Sequence, residues 1–478
     1  MEQLINALNN IIWSPALIYL CLGAGLYFSL RTRFMQIRGF KEMIRLMFTG
    51  QSSAAGVSSF QALAMSLSGR VGTGNIAGVA TAIAFGGPGA IFWMWMVAFL
   101  GASTAYVEST LAQIYKEKDE KGQYRGGPAY YIEKAMGQKW YAWLFAVVTV
   151  IATGLLLPGV QANSIAAGLN NAWGLAPSVT AAMVVVVLGF IIFGGVKRIA
   201  RFAEIVVPFM ALAYILVALV IVFINIQQVP EVFMLIIRSA FGLEAGFGAV
   251  LGLAVQWGVK RGVYSNEAGQ GTGPHAAAAA EVSHPAKQGY VQAFSIYIDT
   301  LLVCSATAFM ILSTGMYNVI HPDGSMIVNA LPGMEVGPGF AQAAVESMLP
   351  GWGRGFVALA LLFFAFTTIV AYYYMAETNI AYLNRKKHRP WMTLLLRIGI
   401  MAAVTYGCIK SAALAWTLGD IGVGMMAWLN IIAILILQKP ALLSLRDYER
   451  QKKAGVDPTF DPEALGIRNA DFWNKKQD

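Results

Sequence analysis

Charge is scarce in this chain. Only 12% of its 478 residues are Asp, Glu, Lys or Arg, about half the roughly 25% of an ordinary soluble protein. Cysteine is scarcer still. The three present, Cys21, Cys304 and Cys408, fall inside apolar stretches, which excludes a disulfide framework and leaves them as small buried hydrophobes. The four histidines, at 275, 284, 321 and 388, fall outside those stretches or at their edges. A transition-metal site built on His and Cys is therefore not expected, and no cofactor is implied. The strict alternation of barrel strands is missing, as are a basic leader and a small-residue cleavage site ahead of the first apolar run, so no cleaved signal peptide is expected. Nor is there a convincing nucleophile–base pair at membrane depth, which argues against an enzyme.

What the chain has is hydrophobic length: 57% of its residues are apolar and its mean hydropathy is +0.59. Weakly charged windows of about 20 residues mark spanning helices. They recur at 11–30, 57–85, 89–114, 140–168, 178–196, 202–226, 243–265, 290–316, 353–383, 391–409 and 412–437. The expected fold is an all-α, multi-pass membrane protein with about eleven spans.

Basic residues set its orientation, because short cytoplasmic loops carry the Lys/Arg excess. They gather after the first span (Arg31, Arg33, Arg38, Lys41, Arg45), the third (Lys116, Lys118, Lys121, Arg125, Lys134, Lys139), the fifth (Lys197, Arg198, Arg201) and the ninth (Arg385, Lys386, Lys387, Arg389). The tail adds Arg446, Arg450, Lys452 and Lys453, while 86–88, 171–177 and 318–350 have none and 227–239 only Arg238. This alternation places the N-terminus outside and the C-terminus in the cytoplasm. Basic loops beside anionic lipid account for the net charge of +9 without any nucleic-acid partner. In 31–56, RTRFMQIRGFKEMIRLMF interleaves bases with apolar residues, as an amphipathic surface helix would; an ordinary loop is the alternative.

The second span holds GRVGTGNIAGVA at 69–80. In hydrocarbon every backbone N–H and C=O needs a partner, so an interrupted helix persists only where protein or a wet cavity supplies one. Gly72 and Gly74 weaken the helix by on the order of 1 kcal/mol each. A break at Val71–Asn75 bares amides for a carboxylate and carbonyls for a cation, with the dipole of the following half-helix favouring the anion. Thr73 and Asn75 add side-chain oxygens. The expectation is a site for a small zwitterion beside a hard cation. A dinucleotide fingerprint is rejected, since GTGNIAG follows no strand. Glycines that merely permit helix packing are expected at Gly23/Gly25 and Gly246/Gly248/Gly252.

Arg70 lies too deep to snorkel and calls for a partner among Glu108, Glu204, Glu267, Asp299 and Glu377. Arg70-x-x-x-x-Asn75-x-Ala-Gly recurs as Arg261-x-x-x-x-Asn266-x-Ala-Gly, 191 residues on. That match suggests a second break there, the alternative being Gln256-Trp257-Gly258. Gln161 and Asn163, after Pro158-Gly159, and the paired hydroxyls of Thr367-Thr368 are further polar candidates, the latter suited to Na⁺. Taken singly, each is more commonly a structural hydrogen-bond partner.

GGPGAIFWMWMVAFLG at 86–101 resembles the signature of the alanine or glycine:cation symporter family, the bacterial sodium–alanine symporters. GTGNIAG (72–78), RGGPAYY (125–131), GVQANS (159–164), KRGVYSNEAGQGT (260–272) and IDT (298–300) follow in the family's order, so the likeness spans roughly 10–440. It implies a leucine-transporter-type fold, two inverted five-helix repeats plus an extra N-terminal helix. The divisions would be 1–56 (extra helix and basic loop), 57–226 and 240–437 (the repeats) and 438–478 (cytoplasmic tail). It also implies Na⁺-coupled import of alanine or glycine, with D-alanine in some members, across the bacterial inner membrane, with no obligate protein partner.

By the same resemblance Gly72, Thr73, Gly74 and Asn75 cradle substrate, Gln161 and Thr368 are polar groups of the pocket, and Tyr372 with Trp257 forms a short wall. Na⁺ would lie on Val71, Asn75, Thr367 and Thr368. Where many members read TTILGW, this chain reads TTIVAY, so Ala371 and Tyr372 alter the pocket and put its volume in question. The rivals are an uncoupled facilitator and a proton-coupled carrier with Glu108 or Asp299 as relay.

Overall fold

The computed structural model describes residues 2–387 and 389–474; His388 lies outside the described residues. The protein is mostly helical. In chain order the principal helices are α1 (Glu2–Ile12), α2 (Pro15–Arg31), α3 (Phe40–Met47), α4 (Ser59–Arg70), α5 (Ala77–Gly86), α6 (Gly89–Ile114), α7 (Lys139–Trp173), α8 (Pro177–Ile192), α9 (Gly195–Ile224) and α10 (Val229–Ala240). They continue with α11 (Leu251–Asn266), α12 (Gly273–Ala279), α13 (Pro285–Thr314), α14 (Gly339–Met348), α15 (Gly353–Asn384), α16 (Pro390–Ile409) and α17 (Ala412–Lys453). Two antiparallel hairpins sit in loops: β1 (Glu117–Lys118) with β2 (Tyr124–Arg125), and β3 (Asn318–Ile320) with β4 (Met326–Asn329).

Among the described residues, eight helices are long and apolar enough to cross a membrane. The remaining three apolar windows hold shorter pieces: α8, the interrupted pair α4/α5, and α11, which breaks off before α12. Helices α6, α15 and α17 run mostly through protein, whereas α9 and α16 face outward over most of their length. On α9, Phe209, Leu212, Leu216, Leu219 and Phe223 are exposed together, an apolar band that only lipid can cover. The chain is an integral, multi-pass helical membrane protein.

Of the glycines expected to serve packing, Gly25 does so, with a methyl there meeting Leu100 Cβ at 2.8 Å. Gly23, Gly246, Gly248 and Gly252 face open space, a correction to the expectation. The close approach is made instead by Gly258 and Gly262, which press α11 onto Ala90, Met94 and Val97 of α6. The 31–56 stretch forms two short helices bent at Gly39, with Met43, Leu46 and Met47 buried and Ile37, Phe40 and Ile44 exposed. The last helix runs sixteen residues past its expected end at 437, to Lys453. It is held there by Glu449 on Arg33 and Arg38, at 3.1 and 2.6 Å. Such long-range partners leave no mark in a hydropathy window.

Two helices widen into π turns, at Ala152–Leu156 in α7 and Tyr297–Cys304 in α13. The first ends just before Pro158, whose ring cannot accept the regular α turn. Both stretches lead directly into the central site, a frequent placement for π bulges.

Candidate functional site

The break in the second apolar window is present. Ser58 starts α4 with a capping box: Gln61 N donates to Ser58 Oγ at 3.1 Å and Ser58 N to Gln61 Oε1 at 3.1 Å. The helix stops at Arg70, Thr73–Asn75 make a single 3₁₀ turn, and α5 resumes at Ala77. Gly72 is required by contact: a Cβ there would meet Gln161 Oε1 at 2.9 Å and collide with Thr368 Oγ1. Gly74 lies close to Ser265 and Tyr264, both 3.2 Å from where its Cβ would be.

The bared amides are answered by neutral oxygens. Gly72 N donates to Asn75 Oδ1 at 2.8 Å and Thr73 N to Gln161 Oε1 at 3.0 Å. Two carboxamide oxygens thus stand where the two oxygens of one carboxylate would fit. Thr73 Oγ1 is buried and has no hydrogen-bond partner among the described residues. Asn75 Nδ2 donates to Asp299 Oδ1 at 2.7 Å and to Asp299 O at 3.1 Å. That carboxylate also accepts from Ser265 Oγ (3.1 Å) and Thr300 Oγ1 (2.7 Å). Cys304 Sγ lies 3.4 Å from Asn75 Nδ2, closer to this cluster than a merely apolar cysteine would be.

On the other side of the break, Thr368 Oγ1 lies 2.8 Å from Ser68 O, 3.4 Å from Val71 O and 3.0 Å from Phe364 O, one hydroxyl among three carbonyl oxygens. Thr367 shares the Phe364 carbonyl at 2.9 Å but turns toward the Met210 sulfur. Neighbours on a helix point about 100° apart, so the two hydroxyls do not converge on Val71. Tyr372, one turn beyond Thr368, is buried with its hydroxyl toward Gln161 and Tyr264. Tyr264, which the sequence reading missed although it lies inside KRGVYSNEAGQGT, accepts from Gln161 Nε2 at 3.4 Å. Trp257 lies two turns from Tyr264, stacked on Phe85 at 5.0 Å and away from the 3₁₀ turn. Tyr264 and Tyr372 are thus the two aromatic side chains brought against Gln161. Asn163 bridges to α16, donating to the carbonyls of Gly407 (3.0 Å) and Lys410 (2.8 Å).

A second break follows α11. The chain leaves that helix at Asn266 and passes through Glu267 (φ 60°), Gly269 (φ 83°) and Gly271 (φ 82°) before α12. Residues 256–258 are helical, so that alternative is overturned. The repeated pattern points to the right segment in the wrong register: the chain unwinds directly after Arg70 but only after Asn266, five residues beyond Arg261. Here the amides are answered by a resident anion. Gly269 N and Gly271 N donate to Glu108 at 3.2 and 3.1 Å, and Asn430 Nδ2 donates to it at 2.8 Å.

Arg70 answers its burial differently from the expectation. It is 1% exposed, and among the described residues no carboxylate makes an ion pair with it. Nε donates to Asn266 O at 2.7 Å, and Nη1 to Ser66 Oγ at 2.7 Å, Gln292 Oε1 at 3.1 Å and Ser295 Oγ. The guanidinium therefore sits where α4 and α11 both end, and two negative helix termini converge on it. Of the proposed partners, Glu204 is held by Gln61 Nε2 (3.0 Å), Glu267 by Thr272 Oγ1 (2.9 Å) and Glu377 by Arg125 (3.5 Å).

The site is sealed at both ends, with Thr73, Asn75, Gln161, Thr368 and Tyr372 all buried. Toward the β3–β4 end, Asp420 takes both Lys260 (2.9 Å) and Arg261 (2.6 Å), and the Arg261 guanidinium lies 4.4 Å from the Trp416 ring. Trp416 in turn lines an outer cavity of about 320 Å³ with Asn163, Asn171 and Arg354. At the basic end, Arg125 of β2 binds Asp119 (2.9 Å) and Glu377 (3.5 Å) beside a cavity of about 640 Å³.

Two interrupted helices meeting at a buried, polar centre define a multi-pass helical membrane protein with polar side chains gathered at its core. The chain belongs to the sodium:alanine symporter family, which matches residues 1–462. It is similar to the Bacillus subtilis (strain 168) protein YrbD, at 66% identity over 476 residues, covering 100% of this chain and 98% of YrbD. The sodium/proton-dependent alanine carrier protein of Bacillus sp. (strain PS3) is 57% identical over 434 residues, covering 90% of this chain and 97% of its own length. The sodium/alanine symporter AgcS of Methanococcus maripaludis is 36% identical, with 94% and 98% covered. These relatives are carriers, not enzymes.

Proposed function

We propose that the protein is a secondary active symporter that imports small neutral amino acids, alanine and glycine foremost, with Na⁺ as the coupling ion. The observation that carries this reading is the buried 3₁₀ turn at Thr73–Asn75, with the amides of Gly72 and Thr73 held by two carboxamide oxygens and the Thr368 hydroxyl set among three carbonyl oxygens beside it. The substrate carboxylate replaces Asn75 Oδ1 and Gln161 Oε1 on the amides of Gly72 and Thr73, gaining charge-assisted hydrogen bonds in place of neutral ones. Its ammonium faces Thr73 Oγ1 and the freed oxygens, and Tyr264 and Tyr372 exclude long side chains. Na⁺ takes Thr368 Oγ1 and the carbonyls of Val71 and Ser68; Thr367, turned toward Met210, and Asn75, on the substrate side, are left out of this ion site.

Substrate and ion thus bind on opposite sides of one break, so each favours the state the other needs. At 100 mV a single inward charge is worth about 2.3 kcal/mol, enough for a roughly fifty-fold gradient of a neutral solute. This reading includes eleven spans in a leucine-transporter-type arrangement, with repeats at 57–226 and 240–437 after an extra helix in 1–56. The N-terminus is outside, the tail 438–478 is cytoplasmic, and the membrane is the bacterial inner membrane. Residues 475–478 of that tail lie outside the described residues.

In proteoliposomes, labelled alanine should accumulate under an imposed Na⁺ gradient and only equilibrate without one. Asn75→Ala should remove the accumulation in a protein that still melts cooperatively. Accumulation that follows a proton gradient and ignores Na⁺ would favour the second reading, a proton-coupled carrier. The specific support for that reading is the buried Asp299 carboxylate, 2.7 Å from Asn75 Nδ2.

A further inference from the structure

Beyond α17 the chain does not leave the protein. Residues 456–474 run back across the basic end. Asp457 takes Lys287 Nζ at 2.8 Å, Ser283 Oγ donates to Pro458 O at 2.8 Å, and Phe460 N donates to Ser283 O at 3.1 Å. Asn469 Nδ2 then donates to Lys134 O at 2.8 Å. The segment ends with Phe472 and Trp473 against Lys116, whose Nζ lies 4.6 and 5.5 Å from the two rings. Trp473 is 3% exposed, and its Nε1 donates to Gln113 O at 3.0 Å.

What lies beneath gives the strap its meaning. Gln113 Nε2 and Lys116 Nζ donate to Ala280 O at 3.0 and 2.8 Å, which fixes the inner end of α12. Val57 N donates to Ala279 O at 2.9 Å and Glu281 N to Val57 O at 2.8 Å, which ties the start of α4 to the same place. Tyr124 of β2 joins the cluster, donating to Glu281 at 2.6 Å and packing on Phe472 at 5.0 Å. The inner ends of both broken helices therefore meet under the aromatic pair. The strap also crosses to Lys134, on the connection to α7, which supplies Gln161 to the site from the other side.

We propose that residues 456–474 act as a latch on the cytoplasmic face, holding the inner ends of α4 and α12 closed so that release of the strap accompanies inward opening. The cytoplasmic assignment rests on the orientation given above; the latch itself requires no substrate. Its occupant is this chain's own segment, seated by buried rings and backbone hydrogen bonds.

Cys304, 3% exposed beside Asn75, is a native reporter of opening. With Cys21→Ser and Cys408→Ser as background, Cys304 is labelled in inside-out vesicles by a membrane-impermeant maleimide, without alanine. Truncation after Ala454, and separately Trp473→Ala, should raise the labelling rate about fivefold or more, the factor that corresponds to 1 kcal/mol in an opening equilibrium. Trp473→Phe, which keeps a ring on Lys116, should recover most of the protection. Unchanged or slower labelling in Trp473→Ala with a native melting transition would overturn the latch. So would a lowered melting temperature with no change in labelling, the result of a merely structural strap. If the truncated chain fails to fold, Trp473→Ala and the surface change Asp457→Ala decide alone. Because no transport is read, failure of alanine uptake would count against the symporter reading and leave this test intact.

Discussion

A buried guanidinium with no carboxylate against it is a residue-scale statement about what a charge needs at membrane depth. Arg70 places its Nε and Nη1 on a carbonyl, two hydroxyls and a carboxamide at the ends of two helices, while its buried Nη2 has no hydrogen-bond partner among the described residues. Lysine cannot reproduce that fork. Arg70→Lys should therefore lower the melting temperature and the uptake rate together, and a variant with both unchanged would show the network to be dispensable. Gly72→Ala addresses the other face of the break. Its methyl must displace Gln161 Oε1 or Thr368, and overpacking of this kind costs about 1–3 kcal/mol. Alanine uptake by the variant should fall at least about tenfold; uptake at the normal rate would mean the approach to Thr368 is not needed.

These positions were legible in the sequence because polar residues in a long apolar run have few explanations. Their partners were not. Arg70 finds Asn266 across 196 positions, and Tyr264 joins Gln161 across 103. Trp257, expected in a wall with Tyr372, stacks on Phe85 two turns of helix away from Tyr264.

At the scale of elements, the two breaks are the same device with different occupants. The first holds the carboxamides of Asn75 and Gln161 and the second the carboxyl group of Glu108, and on the reading proposed above it is the first that takes a carboxylate from outside. Glu108→Gln would face one of the amides of Gly269 and Gly271 with an NH₂ group, leaving a buried donor unpaired at a cost of about 1–3 kcal/mol. A lower melting temperature and slower uptake are expected, and a variant identical to the parent on both counts would contradict the assignment. The glycine-rich composition made both breaks visible. The register of the second was hidden because R-x-x-x-x-N-x-A-G matches in letters while the chain unwinds at a different point in each copy.

His284, at the start of α13, makes a pH-dependent contribution to the seat of the tail. Ala286 N donates to its Nδ1 at 3.1 Å, so the neutral ring carries its proton on Nε2, facing Asp447 at 3.3 Å. Burial lowers its proton affinity below the ordinary imidazole value of 6.5, with Lys287 acting in the same sense and Asp447 and Asp457 opposing. The fold thus prefers the neutral ring. Its contribution is complete above the unfolded value of 6.5 and diminishes as the pH falls below it. His284→Gln should remove that part of the acid-induced drop in melting temperature; an unaltered pH profile would show that His284 plays no part.

For the molecule as a whole, the polar centre is flanked by the Asp420 charge cluster on one side and by the tail and the β1–β2 hairpin on the other. Asp420 answers two buried cations at once. Asp420→Asn would leave Lys260 and Arg261 uncompensated, a loss on the scale of about 3–5 kcal/mol, and should open the route from the outer cavity. Faster loss of preloaded labelled alanine from proteoliposomes would register it, and retention equal to the parent's would argue against an outer closure. The membrane class of the fold was written in the hydropathy, since lipid demands long apolar helices. The contacts at its two ends were not, because most of them, such as Asp420 with Lys260 and Trp473 with Gln113, join residues more than a hundred positions apart.

The central claim is that substrate enters by displacing side-chain oxygens from the amides of an unwound helix. An experimental structure with L-alanine and Na⁺ bound tests it most directly. The expected result is a carboxylate within hydrogen-bond distance of the amides of Gly72 and Thr73, with Gln161 Oε1 moved off Thr73. Alanine found elsewhere, with Gln161 and Asn75 still holding those amides, would contradict the account.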